Sequence, residues 1–253
     1  MKIMDNGSPS NEIIGLIPAR GGSKSIPLKN MAPLGGRPLM EYVIRAAKAC
    51  PQVTTICCST EHGGIAAFCA EQGVRVIDRP ESMAQDDSPV VDVIRHVLQT
   101  WHEGTGSFPE LVVLLQATSP FLLPEHIADC IDLLRKAPEA DSAQTITAIA
   151  HNNHAFNQRT FEDQRVRFKF ADERKKAYNK QRKPKFYKFG NLVVCRSASI
   201  LAGKDPFADI SLGVEIKPPY DIDVDGPGDL EYATYLLETG KVRLPFMPGG
   251  ALR

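Results

Sequence analysis

Ile13-Ile14-Gly15-Leu16-Ile17-Pro18 runs straight into Ala19-Arg20-Gly21-Gly22-Ser23-Lys24-Ser25-Ile26-Pro27-Leu28-Lys29-Asn30, an apolar six-residue run followed by a glycine-bearing turn loaded with cations. A short β-branched run that empties into a polar turn reads as a buried strand of a parallel sheet. Working outward, similar runs recur at Thr54–Ser59, Val74–Ile77, Leu111–Gln116, Ser142–Ile149, Asn191–Cys195, Gly213–Lys217 and Tyr220–Val224. Between them, helical periods fall at Leu39–Cys50, Ile65–Gln72, Pro89–Thr100, Pro124–Leu134 and Asp229–Thr239, several opened by Ser or Pro. That alternation predicts an α/β chain: a three-layer sandwich on a Rossmann-like, mainly parallel sheet.

The stretch from His151 to Lys188 breaks the rhythm. It is polar and basic, yet holds five phenylalanines and two tyrosines, more aromatics than a disordered segment carries. It reads as an insertion at about 151–188, a substrate lid, a subunit contact or both. Residues 1–12 read as a flexible N-terminal tail, and 13–253 as one catalytic domain bearing the insertion.

Composition excludes several classes. Thirty Lys plus Arg balance thirty Asp plus Glu, so no global field draws the chain to nucleic acid or an anionic membrane. The basic run Arg174–Lys188 lacks any RNA-binding signature and ranks last as a nucleic-acid surface. Apolar runs are far shorter than the ~20 residues of a membrane span. The polar start lacks the apolar centre of a secretory signal, and the six cysteines form no C-x-x-C pair. A cytoplasmic protein with buried, reduced thiols is expected, with Cys57 and Cys58 facing opposite sides of a strand. His151 and His154 are spaced H-x-x-H without cysteine or H-E-x-x-H support, so zinc is not the reading.

The chemistry points to the first turn. In an open α/β sheet, ligands bind beyond the strands' carboxyl ends. There Gly21 and Gly22 allow close approach of an anion, and Arg20, Lys24 and Lys29 bring three cations, a set suited to a triphosphate. The spelling is neither a Walker loop nor a dinucleotide fingerprint. Far downstream, Tyr220-Asp221-Ile222-Asp223-Val224-Asp225 would align three carboxylates on one strand face. Such a row repels itself unless a hard cation such as Mg²⁺ bridges it to phosphate.

The string Pro18–Asn30 (PARGGSKSIPLKN) resembles the first motif of the acylneuraminate cytidylyltransferases, the CMP-sialic acid synthetase family, whose fold is of the nucleotide-diphospho-sugar transferase type. Later stretches keep that family's order: Ser59-Thr60, Arg79-Pro80 through Ala84-Gln85-Asp86, Leu115–Pro120 and Asp223-Val224-Asp225. The likeness runs from Ile13 to about Gly240.

The resemblance implies transfer of CMP from CTP to the anomeric hydroxyl of a sialic-type 3-deoxy-2-ulosonic acid, with release of pyrophosphate. It implies nucleotide contacts from Ala19, Arg20, Ser23, Lys24, Lys29 and Asn30, with Lys24 meeting charge on the leaving group. Arg79, Ala84 and Gln85 would read cytosine. Gln116 would lie between sugar and nucleotide, and Lys180, Gln181 and Tyr187 would contact the sugar. Asp223 and Asp225 would hold Mg²⁺, with Asp221 as a possible third ligand. A homodimer is implied, part of Tyr178–Lys188 or the preceding insertion reaching the partner.

Asp86-Asp87-Ser88-Pro89 reads as a helix entry with carboxylates near its N-terminus. Lys180 stands where the family has arginine, Leu122 where many members have arginine after Ser-Pro, and Phe189-Gly190 where Asn-Gly is common. Lysine cannot grip a carboxylate in the bidentate way arginine does, so these departures bear on the sugar more than on the nucleotide. CMP-Kdo or amino-Kdo synthesis, and a catalytically idle nucleotide-binding homologue, stand as alternatives.

Overall fold

A computed structural model of the chain describes residues 10–177, 183–207 and 210–247. In chain order the strands are β1 (Ile13–Pro18), β2 (Pro33–Leu34), β3 (Arg37–Pro38), β4 (Thr55–Thr60), β5 (Arg75–Asp78), β6 (Leu111–Leu114), β7 (Ser142–Ala148), β8 (Arg159–Glu162), β9 (Arg165–Phe168), β10 (Tyr187–Arg196) and β11 (Ser211–Glu215). The helices are α1 (Leu39–Lys48), α2 (Gly63–Glu71), α3 (Val90–Thr105), α4 (Pro124–Lys136), α5 (Ala171–Lys176), α6 (Ser197–Leu201) and α7 (Pro227–Glu238).

Seven strands form one sheet in the order β11-β7-β10-β6-β1-β4-β5. All neighbours are parallel except those of β10, which runs antiparallel to both β6 and β7. Strand alternation builds the two sides of the core. Ile13, Ile17, Val113, Leu192 and Cys58 join α1, α2 and α4 on one face. Ile14, Leu16, Leu114, Val193 and Cys57 join α3 and α6 on the other. The Cys57–Cys58 split is as expected, and all six thiols are free and buried. Helix α7 packs separately, on Leu34, Tyr42 and Phe121. The sheet with helices on both faces is the three-layer sandwich the alternation predicts.

Two expectations change. Tyr220–Val224 is not a strand; it is a turn followed by irregular chain. Pro218 and Pro219 have no N–H to give a neighbouring strand, and Tyr220 N–H turns back to the Lys217 carbonyl at 3.1 Å. The segment then runs to α7, its apolar side chains packed with that helix's cluster, which is why its sequence alternates without being in a sheet. The insertion, read as neither strand nor helix, contains the β8–β9 hairpin and α5. Its aromatics form a satellite core, with His154 stacked on Phe186 at 4.6 Å and Phe156 edge-on to Phe186 at 5.6 Å. The guanidinium groups of Arg159 and Arg174 lie over the Phe168 ring. His154 is consumed here: Nδ1 accepts from Phe156 N–H, and Nε2 lies 2.9 Å from the Pro184 carbonyl.

A close approach fixes β10 against β7. A Cβ on Gly190 would sit 2.6 Å from Thr145 Oγ1 and 2.9 Å from Ile216 Cδ1. The same Thr145 oxygen accepts the N–H groups of Asn191 and Leu192. Gly190→Ala is therefore expected to destabilise the fold by about 1–3 kcal/mol through overpacking, read as a lower urea midpoint; an unchanged midpoint would show that Thr145 can move aside.

Candidate active site

The sheet reverses its winding between β1 and β6, and both strands deliver their carboxyl ends to one edge. The chain leaving β1 is pinned first: buried Ala19 donates its N–H to the Ser59 carbonyl at 3.0 Å. Gly21 donates to Glu61 Oε1 at 2.6 Å, and a Cβ there would lie 2.6 Å from His62 Cδ2. Gly21 is thus needed for close packing, with its N–H engaged by a carboxylate; Gly22 faces open space. Leu28 adopts a left-handed backbone (φ 49°) that a branched side chain disfavours. It turns the chain into a short 3₁₀ segment, Lys29–Met31, and the Asn30 amide then donates to the Arg20 carbonyl at 2.9 Å.

These residues surround an open cavity of about 810 Å³, lined by Arg20, Gly22, Ser23, Lys24, Ser25, Lys29, Asn30, Asp86, Pro18 and Thr118. Arg20 meets Asp86 Oδ1 at 2.6 Å, and Lys24 meets Asp86 Oδ2 at 2.5 Å. Lys24 first, then Arg20, hold the Asp86 carboxyl below the ordinary carboxylate range through their hydrogen bonds. Reading residues 86–89 as a helix entry missed this contact, because nothing local in sequence joins Asp86 to a loop some sixty positions earlier.

The acidic segment contacts two wall residues of this cavity, Thr118 and Lys29. Val224 donates its N–H to the Thr118 carbonyl at 2.7 Å, and Lys29 Nζ lies 3.4 Å from both the carbonyl and the Oδ1 of Asp225. Asp223 is exposed to solvent, yet desolvation by the surrounding chain chiefly raises its carboxyl pKa, against a lowering hydrogen bond from Thr118; the Asp225 charge adds a smaller raise. Asp229 caps α7, accepting the N–H groups of Asp225 and Gly226 at 3.0 and 2.9 Å. Asp221 departs from its companions: it is buried and paired with Lys188 at 2.9 Å. The expected row of three carboxylates is thus a pair, Asp223 and Asp225, with Asp221 engaged elsewhere, because the segment lacks strand alternation. Asp223 and Asp225 supply hard oxygen donors of the kind Mg²⁺ takes alongside phosphate and water. Among the described residues no group of three or more His, Cys, Asp or Glu is gathered closely enough to hold a metal ion by itself.

A second open cavity, about 710 Å³, lies beyond this pair and is lined by Lys188, Pro218, Pro219, Asp221, Ile222, Asp223, Asp229 and Tyr232. Asp223 borders it and also meets Thr118 of the first cavity. Lys188 and Tyr232 are wall residues that sequence reading did not single out. Tyr187 is half-exposed, its hydroxyl 3.4 Å from Glu215 on the edge strand, and does not line either cavity. Lys180 and Gln181 lie outside the described residues. Gln116, half-buried just past β6, accepts Ser119 N–H at its carbonyl. Arg79 is buried, donating to the Ser59 carbonyl at 2.6 Å and to Ser59 Oγ at 3.2 Å; burial chiefly lowers its pKa. Ala84 and Gln85 sit in a self-bonded turn: Ala84 N–H and the Gln85 amide both donate to the Glu81 carbonyl.

A further residue missed in sequence is Asn191, fully buried on β10. Its amide donates to the Tyr220 carbonyl at 2.8 Å and lies 3.1 Å from His126 Nδ1, while Thr145 donates to its Oδ1. This network ties the start of the acidic segment to the sheet. A polar residue within the run Asn191–Cys195 was the available signal, since a buried amide needs partners.

Comparisons place this arrangement among known proteins. A family model described as cytidylyltransferase matches residues 14–202. N-acylneuraminate cytidylyltransferase A of Danio rerio is 39% identical over 127 residues, covering 50% of this chain and 28% of that protein. N-acylneuraminate cytidylyltransferase of Escherichia coli O18:K1:H7 (strain RS218 / NMEC) is 26% identical over 222 residues, 88% of this chain and 51% of its own. The chain thus spans about half, or less, of the length of these curated relatives. Among solved structures, CMP:2-keto-3-deoxy-manno-octonic acid synthetase complexed with CTP superposes with a TM-score of 0.67 at 17% identity, over 90% of this chain and 99% of that one. The 4-diphosphocytidyl-2C-methyl-D-erythritol synthase of Anaerococcus prevotii DSM 20548 gives 0.60 at 13%, over 89% and 96%. At such identities these two show the shared fold alone.

The raised Asp223 carboxyl has a thermodynamic sign. The unfolded chain releases this proton first as pH rises, so folding stability falls between the ordinary aspartate range and the higher native value. Asp223→Asn, without divalent cations, is expected to raise the urea midpoint at pH 7 and to match the unsubstituted chain below the ordinary carboxyl range. A lower midpoint at pH 7 would contradict this.

Proposed function

Because the chain belongs to the cytidylyltransferase family, we propose that it transfers CMP from CTP to the anomeric hydroxyl of a sialic-type 3-deoxy-2-ulosonic acid. The observation that supports this reading best is the contact between Lys29, which lines the cationic cavity, and Asp225 of the downstream acidic segment. In the proposed reaction the sugar's anomeric oxygen bonds to the α-phosphorus, the bond from that phosphorus to the bridging oxygen breaks, and the hydroxyl proton is lost. Pyrophosphate leaves with the bridging oxygen. Catalysis of such a displacement is mostly positioning and charge neutralisation.

Arg20, Lys24 and Lys29 are placed to neutralise the triphosphate, and Lys24, the most exposed of the three at 86%, to follow charge onto the leaving group. Ser23 and Asn30 add polar donors at the same wall. Asp223 and Asp225 would hold Mg²⁺, which when bound would neutralise phosphate charge. The Gln116 amide would orient the acceptor without titrating. The second cavity, bordering Asp223, is where we place the acid sugar, with Lys188 as its cation. Leu122, at the position of a common family arginine, is fully buried in the core, so it offers no charge to a sugar carboxylate. A CMP-Kdo or amino-Kdo synthetase is the second reading, supported by the fold shared with a CMP-Kdo synthetase complexed with CTP. A homodimer sharing the insertion, and a cytoplasmic site in keeping with six free thiols, complete the proposal. Among the described residues no helix is long and apolar enough to cross a membrane.

Incubating the protein with CTP, Mg²⁺ and a panel of 3-deoxy-2-ulosonic acids should release pyrophosphate with at least one nine-carbon acid. Release with an eight-carbon acid alone would select the second reading, and CTP binding without release from any acid would indicate an idle homologue. With the accepted acid, Lys24→Ala should lower kcat by about 10²–10³-fold, and Asp225→Asn should abolish the Mg²⁺ response; wild-type turnover in either variant would remove that residue from the mechanism.

A further inference from the structure

One carboxylate stands among the cations of the nucleotide cavity. Asp86 spends one oxygen on Arg20 and the other on Lys24, so its two oxygens occupy the donors that a phosphate group would take. We infer that Asp86 is an internal counter-anion that competes with ligand phosphate for Arg20 and Lys24, weakening capture of polyphosphate and hastening release of pyrophosphate. The inference rests on the reading of this cavity as a phosphate site.

Three features carry it. Two anions cannot share these two cations without repulsion, so a phosphate that takes both must part them from Asp86. Side-chain exposures of 32% for Arg20, 86% for Lys24 and 46% for Asp86 put the pairs in reach of water, where each is weak enough to exchange. The turn bearing Asp86 also closes its backbone hydrogen bonds on itself. Met83, Ala84, Gln85 and Ser88 direct their N–H groups to acceptors within residues 80–88, and the Gln85 amide stays there too. Among the described residues, the ion pairs of Asp86 are what fasten this turn to the loop after β1. Adjacent Asp87 is exposed and enters neither pair.

The neighbour provides the control, since Asp86→Asn and Asp87→Asn remove the same charge from the same turn. Calorimetric titration of the full chain with pyrophosphate, without divalent cations or sugar, should show Asp86→Asn binding roughly three- to thirtyfold more tightly than the unsubstituted protein. Asp87→Asn should stay within about twofold, and the Asp86→Asn gain should shrink as salt rises. Unchanged or weaker binding by Asp86→Asn would overturn the inference, as would an equal gain in Asp87→Asn, which would mark a general field effect. Absence of pyrophosphate binding in all three proteins would overturn it too. A gain confined to Asp86→Asn in a protein that activates no sugar acid would sustain the counter-anion and refute the transferase reading.

Discussion

A single backbone hydrogen bond organises the catalytic edge: Val224 N–H to the Thr118 carbonyl at 2.7 Å. It fastens a segment with no strand neighbour of its own to the end of the central strand β6. Together with the Lys29–Asp225 contact and the packing of Ile222 and Val224, it sets Asp223 and Asp225 near the cations after β1, about two hundred positions earlier in the chain. Supporting bonds are graded around it. Asn191 holds the Tyr220 carbonyl from within the sheet, and Asp229 holds the Asp225 and Gly226 amides from the first turn of α7. Neutral groups and one capping carboxylate thus fix the backbone of this acidic segment, where like charges would otherwise repel one another.

The same economy governs the cationic side. Arg20, Lys24 and Lys29 do not face one another unpaired: Asp86 serves the first two and Asp225 the third. A polycation poised for a triphosphate would otherwise repel itself. These pairings offset part of the positive charge of the turn where it stands.

What could be read in the sequence follows the range of the forces involved. The strands that build the core were legible because burial on both faces writes continuous apolar runs, and the helices because their periods are local. The acidic segment misled for the same reason: Ile222 and Val224 alternate with aspartates, but their apolar contacts are with α7, not with a second face of the sheet. Asp86 and Lys188 were illegible as site residues, since each acts through partners far away in sequence, whereas Asn191 left a trace as a polar residue in an apolar run. The aromatic richness of the insertion correctly signalled order, yet could not say that His154 and the phenylalanines would pack on one another.

The reversed direction of β10 carries a consequence for how such a molecule can diverge. Parallel strands finish at the ligand edge; an antiparallel one begins there. The described end of the insertion therefore enters β10 at that margin, where Lys188 meets Asp221, while its aromatics pack on one another. A change in the hairpin and α5 would alter that margin while leaving the parallel strands and the turn after β1 as they are.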